Sequence, residues 1–433
     1  MTLADLYANF DPLHPLGADE SDLYVDWLNE LQMDDVKVRL VQAIQLSRDR
    51  SAGVLFSGHR GTGKTTELRR VAQQLEAGVG GRRHLVAHVE VENINDPSLT
   101  CDEIVLQIAI GVARRLRDEG YEEPFNETGN WLRRLLGRVK DQVSLDEARI
   151  ETTVPVIDIV KITMTLSETS STRSVLRAAL KSERQSLTEL VNDYILAPAT
   201  RWLQERNMAN VVVIVDQLDR LPRSVGNGGL TNYEHLFIGE SGPLRNLTCD
   251  TVFVVPVELT YSTSLPRLVN TWGSEVVTLP LPPVQSRNAT DRTAAIACLR
   301  SIVDRRIEAA NHHTSDLFAE ADLARLIAMS GGHHRTLFIL MNGLLLRSKD
   351  VHRFTSEEID LVLRATARDM IKALGPHHWP LLDKVGADNR RHDTPDHADM
   401  WFDLLQNFFV LAYEDGGGEW YDTHPLLGLA RPQ

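Results

Sequence analysis

The segment Gly58-His59-Arg60-Gly61-Thr62-Gly63-Lys64-Thr65 spaces its glycines, lysine and threonine as G-x-x-x-x-G-K-[ST], the pattern of a phosphate-binding loop, or P-loop. The residue types suit that chemistry. Glycines let the backbone curl until its N–H groups converge on one anion, and the N-terminus of a following helix adds partial positive charge there. Lys64 is then placed to reach β- and γ-phosphates, and the Thr65 hydroxyl to ligate Mg²⁺. Gly53 to Ser57 is a short apolar run that reads as a buried strand, and Thr66 to Leu75 keeps apolar residues at helical spacing. Gly58 through Thr66 are therefore expected to cradle ATP with Mg²⁺.

A second run, Val211-Val212-Val213-Ile214-Val215-Asp216, is five aliphatics ended by an acid. A strand buried on both faces in a parallel sheet reads this way, and open α/β sheets bind ligands at the carboxyl ends of their strands. Asp216 is expected to hold Mg²⁺ opposite Thr65, in the manner of a Walker B acid. Many such ATPases carry a glutamate directly after the magnesium aspartate, as the base for the attacking water. Here Gln217 stands in that position; it can orient water but cannot take its proton. Asp219 is the nearest acid that could stand in, or it is a solvated loop carboxylate paired with Arg220.

These residues require an α/β scaffold. His84 to Glu92 reads as a second strand, Cys101 to Leu116 as a helix, and Glu183 to Arg206 as a long helix leading into Val211. Residues 1–50 form a lead-in, with Phe10 to Leu13 as loop and helical periodicity from Asp22 to Leu46. In P-loop proteins such a segment often packs near the adenine. Residues 120–185 read as an insertion, with a basic amphipathic helix at Trp131 to Lys140 and an alternating, β-branched hairpin at Ile150 to Leu166.

With 433 residues, 42% hydrophobic and 24% charged, the chain has room for two or three cores. No apolar run reaches the ~18–20 residues of a membrane span. Met1 to Asp5 lacks the start of a secretory signal, and three separated cysteines suit neither a disulfide framework nor a zinc site; a cytoplasmic location is expected. The net charge of −14 repels nucleic acid over most of the surface, so any such contact must be local. The adjacent pairs His312-His313, His333-His334 and His377-His378 do not face one way, and no cysteine completes a tetrahedral set.

Taken in order, the motifs resemble the AAA+/STAND group of P-loop ATPases, near the archaeal-type replication initiators and the NACHT-like switch proteins. Thr251 to Val257 stands where that group has its sensor 1 strand, with Glu258 and Thr260 as candidates for the polar residue. Leu265 to Thr271 resembles the arginine-finger box, which implies that Arg267 reaches a neighbouring subunit's nucleotide. Ser330-Gly331-Gly332-His333-His334-Arg335 is similar to the G-x-P-R turn of sensor 2. His334 stands where proline is usual, and Arg335 is implied to reach the γ-phosphate from a helical lid. Thr355 with Glu357 and Glu358 starts the last helix of that lid.

The resemblance implies a lead-in at 1–50, a P-loop core at 51–285, a helical lid at 286–370, and a winged-helix-like end at 371–433, where two strands meet at Asp415 to Gly418. That end carries five Lys/Arg against ten Asp/Glu, unlike a DNA-reading module. The implied function is an ATP-driven switch that forms homo-oligomers and engages a separate effector, often in prokaryotic signalling or antiviral defence. A DNA-associated initiator or transposition-type ATPase, and a non-hydrolysing ATP-stabilised scaffold, are the alternatives. A small-molecule kinase fits the lid and arginine boxes poorly.

Overall fold

The five aliphatics before Asp216 set the layering. In the computed structural model, which describes residues 2–47, 50–91, 96–121, 177–178, 186–226, 229–392, 394, 397–415 and 418–431, they form β3, Val211–Asp216. Val211, Val213 and Val215 face a core built with the helix Cys101–Asp118. Val212 and Ile214 face the opposite core, shared with the helices Val36–Ser47 and Lys64–Ala77. A strand covered on both sides has no place for a polar side chain until its end.

Around it lie β1 (Gly53–Gly58), β2 (Leu85–Glu90), β4 (Asp250–Val254) and β5 (Val276–Leu279). All four pairings are parallel and the order is β2-β3-β4-β1-β5. This is the α/β core of a P-loop nucleotide-binding fold. β1 and β3 are separated only by β4, so the loops at their carboxyl ends open on the same edge. Helices at Ala289–Ala309, Thr314–Leu317, Glu320–Met329, His334–Leu345 and Ser356–Ile371 join the core on the Val212 face, and the first and fourth line the cleft at that edge. The last is opened by a capping box between Thr355 and Glu358.

The chain ends in the helices Trp379–Asp388 and Ala398–Gln406 and the antiparallel hairpin β6 (Val410–Asp415) with β7 (Gly418–Thr423), a winged-helix-like arrangement built around the fully buried Trp401. No described helix is long and apolar enough to cross a membrane.

Several local expectations shift. The periodicity from Asp22 to Leu46 resolves into Ser21–Leu23, Trp27–Glu30 and Val36–Ser47, the last two parted where Gln32 turns left-handed at φ 53°. The sensor 1 strand stops at Val254. Pro256 caps a short helix, Val257–Thr260, so Glu258 and Thr260 lie on a helical turn and not at a strand end. The described part of the 183–206 helix, Leu187–Gln204, carries a π-turn at Asn192–Leu196. Pro198 lacks the N–H that an unbroken α-helix would use there. The edge strand β5 was not anticipated. The basic helix and hairpin expected within 120–185 lie outside the described residues.

Gly331 and Gly332, both with positive φ, turn the chain between two lid helices. A Cβ on Gly332 would stand 2.2 Å from Pro282 O. Gly332→Ala is expected to cost about 2–3 kcal/mol in urea unfolding. Gly273→Ala, with φ 68° and open space around it, should cost about 1 kcal/mol. Equal losses would show that the close approach to Pro282 is not the constraint.

Candidate nucleotide site

The loop after β1 is shaped by Gly58, Gly61 and Gly63 at φ 147°, 81° and 97°. It delivers Lys64 as the first residue of its helix. Lys64 Nζ donates to Gly58 O and His59 O, each at 2.8 Å. It also pairs with Asp219 Oδ2 at 2.9 Å, both side chains being buried. The ammonium is thus folded into its own loop, and a carboxylate neutralises it where a phosphate would. Thr65 Oγ1 donates to Asp216 Oδ2 at 2.7 Å, and Asp216 Oδ1 accepts from Gln217 N. A hydroxyl and a carboxylate oxygen this close can share one hard, oxygen-seeking cation, so the donor set fits Mg²⁺.

Beside the loop lies a cleft of about 980 Å³, counted out to its mouth. The N-terminal segment forms one wall: Leu16 N donates to Thr66 Oγ1, and Arg69 donates to Pro15 O. Tyr24 anchors that wall by donating to Glu67 Oε2 at 3.0 Å, and Lys37 Nζ joins them through Asp26 and Glu67. Burial pushes the Glu67 carboxyl up despite the Lys37 charge beside it. The opposite wall comes from the lid, through Ile302, Arg306, His334 and Phe338.

The turn before His334 closes over the P-loop. Arg335 N donates to Gly61 O at 3.2 Å and Arg335 Nε to Pro12 O at 3.2 Å. His333 Nε2 donates to Arg60 O at 2.5 Å and His334 Nδ1 to Thr62 O at 3.0 Å. The C-terminal hairpin grips the same region. Ala412 N donates to His59 Nε2 at 3.0 Å, Tyr413 OH donates to Gly331 O at 2.6 Å, and Phe408 stacks on His333 at 4.5 Å between centroids.

The cleft therefore collects Arg60, Gly61, Thr62, Gly63, Lys64, Thr65, Thr66, Asp216, Asp219 and Arg335 from the sequence-derived set. Gly58 and His59 line a smaller cavity of about 230 Å³ behind the loop, with Glu258 and Phe408. Glu258 is buried with Oε1 unpartnered, and burial pushes its carboxyl up to about 7; neither it nor Thr260 lines the nucleotide cleft. Gln217 adopts φ 71° and accepts from Arg220 Nη1, off the cleft wall. Arg267 is exposed on the helix Leu265–Trp272, outside this cleft. Sequence reasoning missed Tyr24, Trp27, Arg306 and Phe338 as cleft residues, because they come from segments far apart in the chain. It also missed the engagement of His59 by the hairpin.

No protein-family model and no curated protein matches the chain. Among solved structures it is similar to the Walker-type ATPase paby2304 of Pyrococcus abyssi, at 13% identity and TM-score 0.45, over 98% of this chain and 100% of that one. It is also similar to the Aeropyrum pernix ORC2 protein in its ADPNP–ADP complexes, at 12% identity and TM-score 0.43, over 97% and 94%. A third is Cdc6p from Pyrobaculum aerophilum, at 12% identity and TM-score 0.37, over 98% and 95%. With identities this low the site has to be read from its own residues.

Burial, with the Lys64 charge adding, pushes the His59 imidazole from 6.5 down to about 3. The unfolded chain therefore binds one more proton than the native state between those values. Stability from neutral His59 is present above pH 6.5 and is lost as pH falls through that window, at up to ~1.4 kcal/mol per pH unit. His334 and His424 act with the same sign; Glu258, whose native carboxyl keeps its proton, acts with the opposite one. His59→Gln, whose amide oxygen reaches the Nε2 position, retains an acceptor for Ala412 N. It is expected to flatten the slope of stability against pH by about one proton between roughly pH 6 and 4.5. An unchanged slope would mean that His59 does not titrate on unfolding.

Proposed function

We propose that the chain is an ATP-binding, AAA+-like switch that hydrolyses ATP slowly and changes its contacts with other protein chains according to nucleotide state. The observation that carries this reading is the convergence of Lys64, the Thr65–Asp216 pair and Arg335 on one cleft.

An incoming triphosphate competes with Asp219 for Lys64. Lys64 exchanges one carboxylate for a polyanion backed by loop N–H groups, and Asp219 is released beside the phosphates. Thr65 and Asp216 would hold Mg²⁺, which supplies neutralisation of the triphosphate charge. Asp219, once free, is placed to accept a proton from water that Gln217 cannot take. Its prior engagement with Lys64 and the amide at Gln217 support slow turnover. Arg335, whose backbone N–H bonds Gly61 O and whose Nε bonds Pro12 O, adds positive charge from the lid side. Arg267, exposed on its short helix, is available to a neighbouring copy. In this reading the further partner is a separate effector protein in a prokaryotic signalling or defence setting. The motif resemblance supports that setting, and the acidic C-terminal end disfavours nucleic acid as the partner.

The first measurement is phosphate release together with particle mass, in ATP and Mg²⁺. Wild type is expected to turn over and assemble, Lys64→Ala to do neither, and Arg267→Ala to assemble without turnover. A wild type that stays monomeric and is unaffected by Arg267→Ala removes the arginine finger. Stoichiometric ATP retention without turnover would replace the switch by a scaffold. Asp219→Asn, which deprives Lys64 of its counterion, is expected to tighten ATP binding several-fold while slowing turnover roughly a hundredfold. Weaker binding in that variant would contradict the exchange.

A further inference from the structure

Two residues that line the cleft, His334 and Arg306, each hold a buried polar atom without a partner among the described residues. His334 Nδ1 lies 3.0 Å from Thr62 O. A carbonyl oxygen only accepts, so Nδ1 carries the proton and Nε2 of the neutral ring carries the lone pair. Nε2 is buried and without a partner, in a residue only 9% exposed that lines the cleft. Burial pushes the imidazole down to about 4, and the Arg306 charge acts in the same direction, so Nε2 is an acceptor at neutral pH.

Arg306 adds the complementary atom. Its guanidinium lies 4.5 Å over the Phe338 ring and donates through Nη1 to Ile302 O and Leu23 O. Nε is buried without a partner, and the residue lines the same cleft. Trp27, its ring 5.8 Å from that of His334, and Ile302 supply apolar surface around these groups. A buried acceptor and a buried donor among aromatic and aliphatic walls are what a base-binding pocket offers. Leaving them unpaired is unfavourable, and a matching ligand edge removes that penalty.

We propose that His334 is a specificity-determining residue for adenine, its Nε2 accepting from the exocyclic amine while Arg306 Nε presents a donor to a neighbouring ring nitrogen. Adenine offers a donor beside an acceptor. A 6-oxopurine offers the reverse: its carbonyl oxygen would face the Nε2 lone pair, and its N1–H would face a donor. Discrimination by such buried polar groups is strong because the wrong edge leaves both unpaired. The proline usual at this point of the G-x-P-R pattern has no side-chain acceptor. This inference rests on the cleft being the ATP site.

The test measures equilibrium binding of ATP, ITP, 2′-deoxy-ATP and inorganic tripolyphosphate, with Mg²⁺ at neutral pH. The proteins are wild type, His334→Asn and His334→Gln. The asparagine amide can keep the bond to Thr62 O while losing the acceptor at the Nε2 position; glutamine can restore an acceptor there. Wild type is expected to prefer ATP over ITP by about tenfold or more and to bind 2′-deoxy-ATP like ATP. His334→Asn should lose that preference through weaker ATP binding, with tripolyphosphate unaffected, and His334→Gln should recover part of it. Equal wild-type affinity for ATP and ITP overturns the proposal. So does a His334→Asn loss shared by tripolyphosphate, which would place the ring on phosphate. A 2′-deoxy penalty that His334→Asn abolishes would place it on the ribose and overturn it equally. If wild type binds neither nucleotide nor tripolyphosphate, the ATP-site reading falls together with it.

Discussion

A buried ammonium must have oxygen around it. Lys64, at the mouth of a loop whose own N–H groups repel it, meets that requirement with Gly58 O, His59 O and the Asp219 carboxylate. Much of the site follows from this. Asp219 has to reach back from the turn after β3, which fixes the 3₁₀ turn Leu218–Arg220 and leaves Gln217 in the left-handed region that precedes it. Asp219 O in turn accepts from the Arg60 guanidinium. The phosphate loop and the acidic loop are therefore tied in two places, through Lys64 and through Arg60.

The coupling outward runs through the loop positions that the phosphate motif leaves free. Glycines, lysine and threonine are set by the anion, but the intervening residues are not. His59 accepts from the hairpin at Ala412, Arg60 O accepts from His333, and Thr62 O accepts from His334. Each variable position of the loop thus makes a contact with the lid or the hairpin. Gly331, Tyr413 and Phe408 complete the junction, and a side chain on Gly331 would strike Leu411. A displacement of the loop would therefore be felt at the C-terminal end.

This explains what was legible in the sequence. The strands β1, β2, β3 and β4 and the P-loop helix announce themselves because each is a local pattern: an unbroken aliphatic run, or apolar spacing after a glycine turn. The C-terminal hairpin is legible for the same reason, since the short run Val410 to Tyr413 and the pair Trp420-Tyr421 flank a glycine-rich turn. β5 escaped because four residues at a sheet edge carry too little pattern. The sensor 1 region was displaced because Pro256 ends the strand before its polar residue arrives.

The cleft walls were legible in kind but not in identity. A lead-in beside the P-loop was expected and does wall the cleft, whereas Tyr24, Trp27, Arg306 and Phe338 come from segments that only the tertiary structure brings together. His334 shows the limit most sharply. In the sequence it is a departure from proline at one position of a turn, and a departure by itself says nothing about use. Its meaning depends on a bond between Nδ1 and a carbonyl 272 residues away, which fixes the tautomer and turns the other nitrogen into an acceptor. Tautomers are set by neighbours, and neighbours are set by the fold. A histidine's chemistry is therefore the last property a sequence yields, even where its motif is among the first.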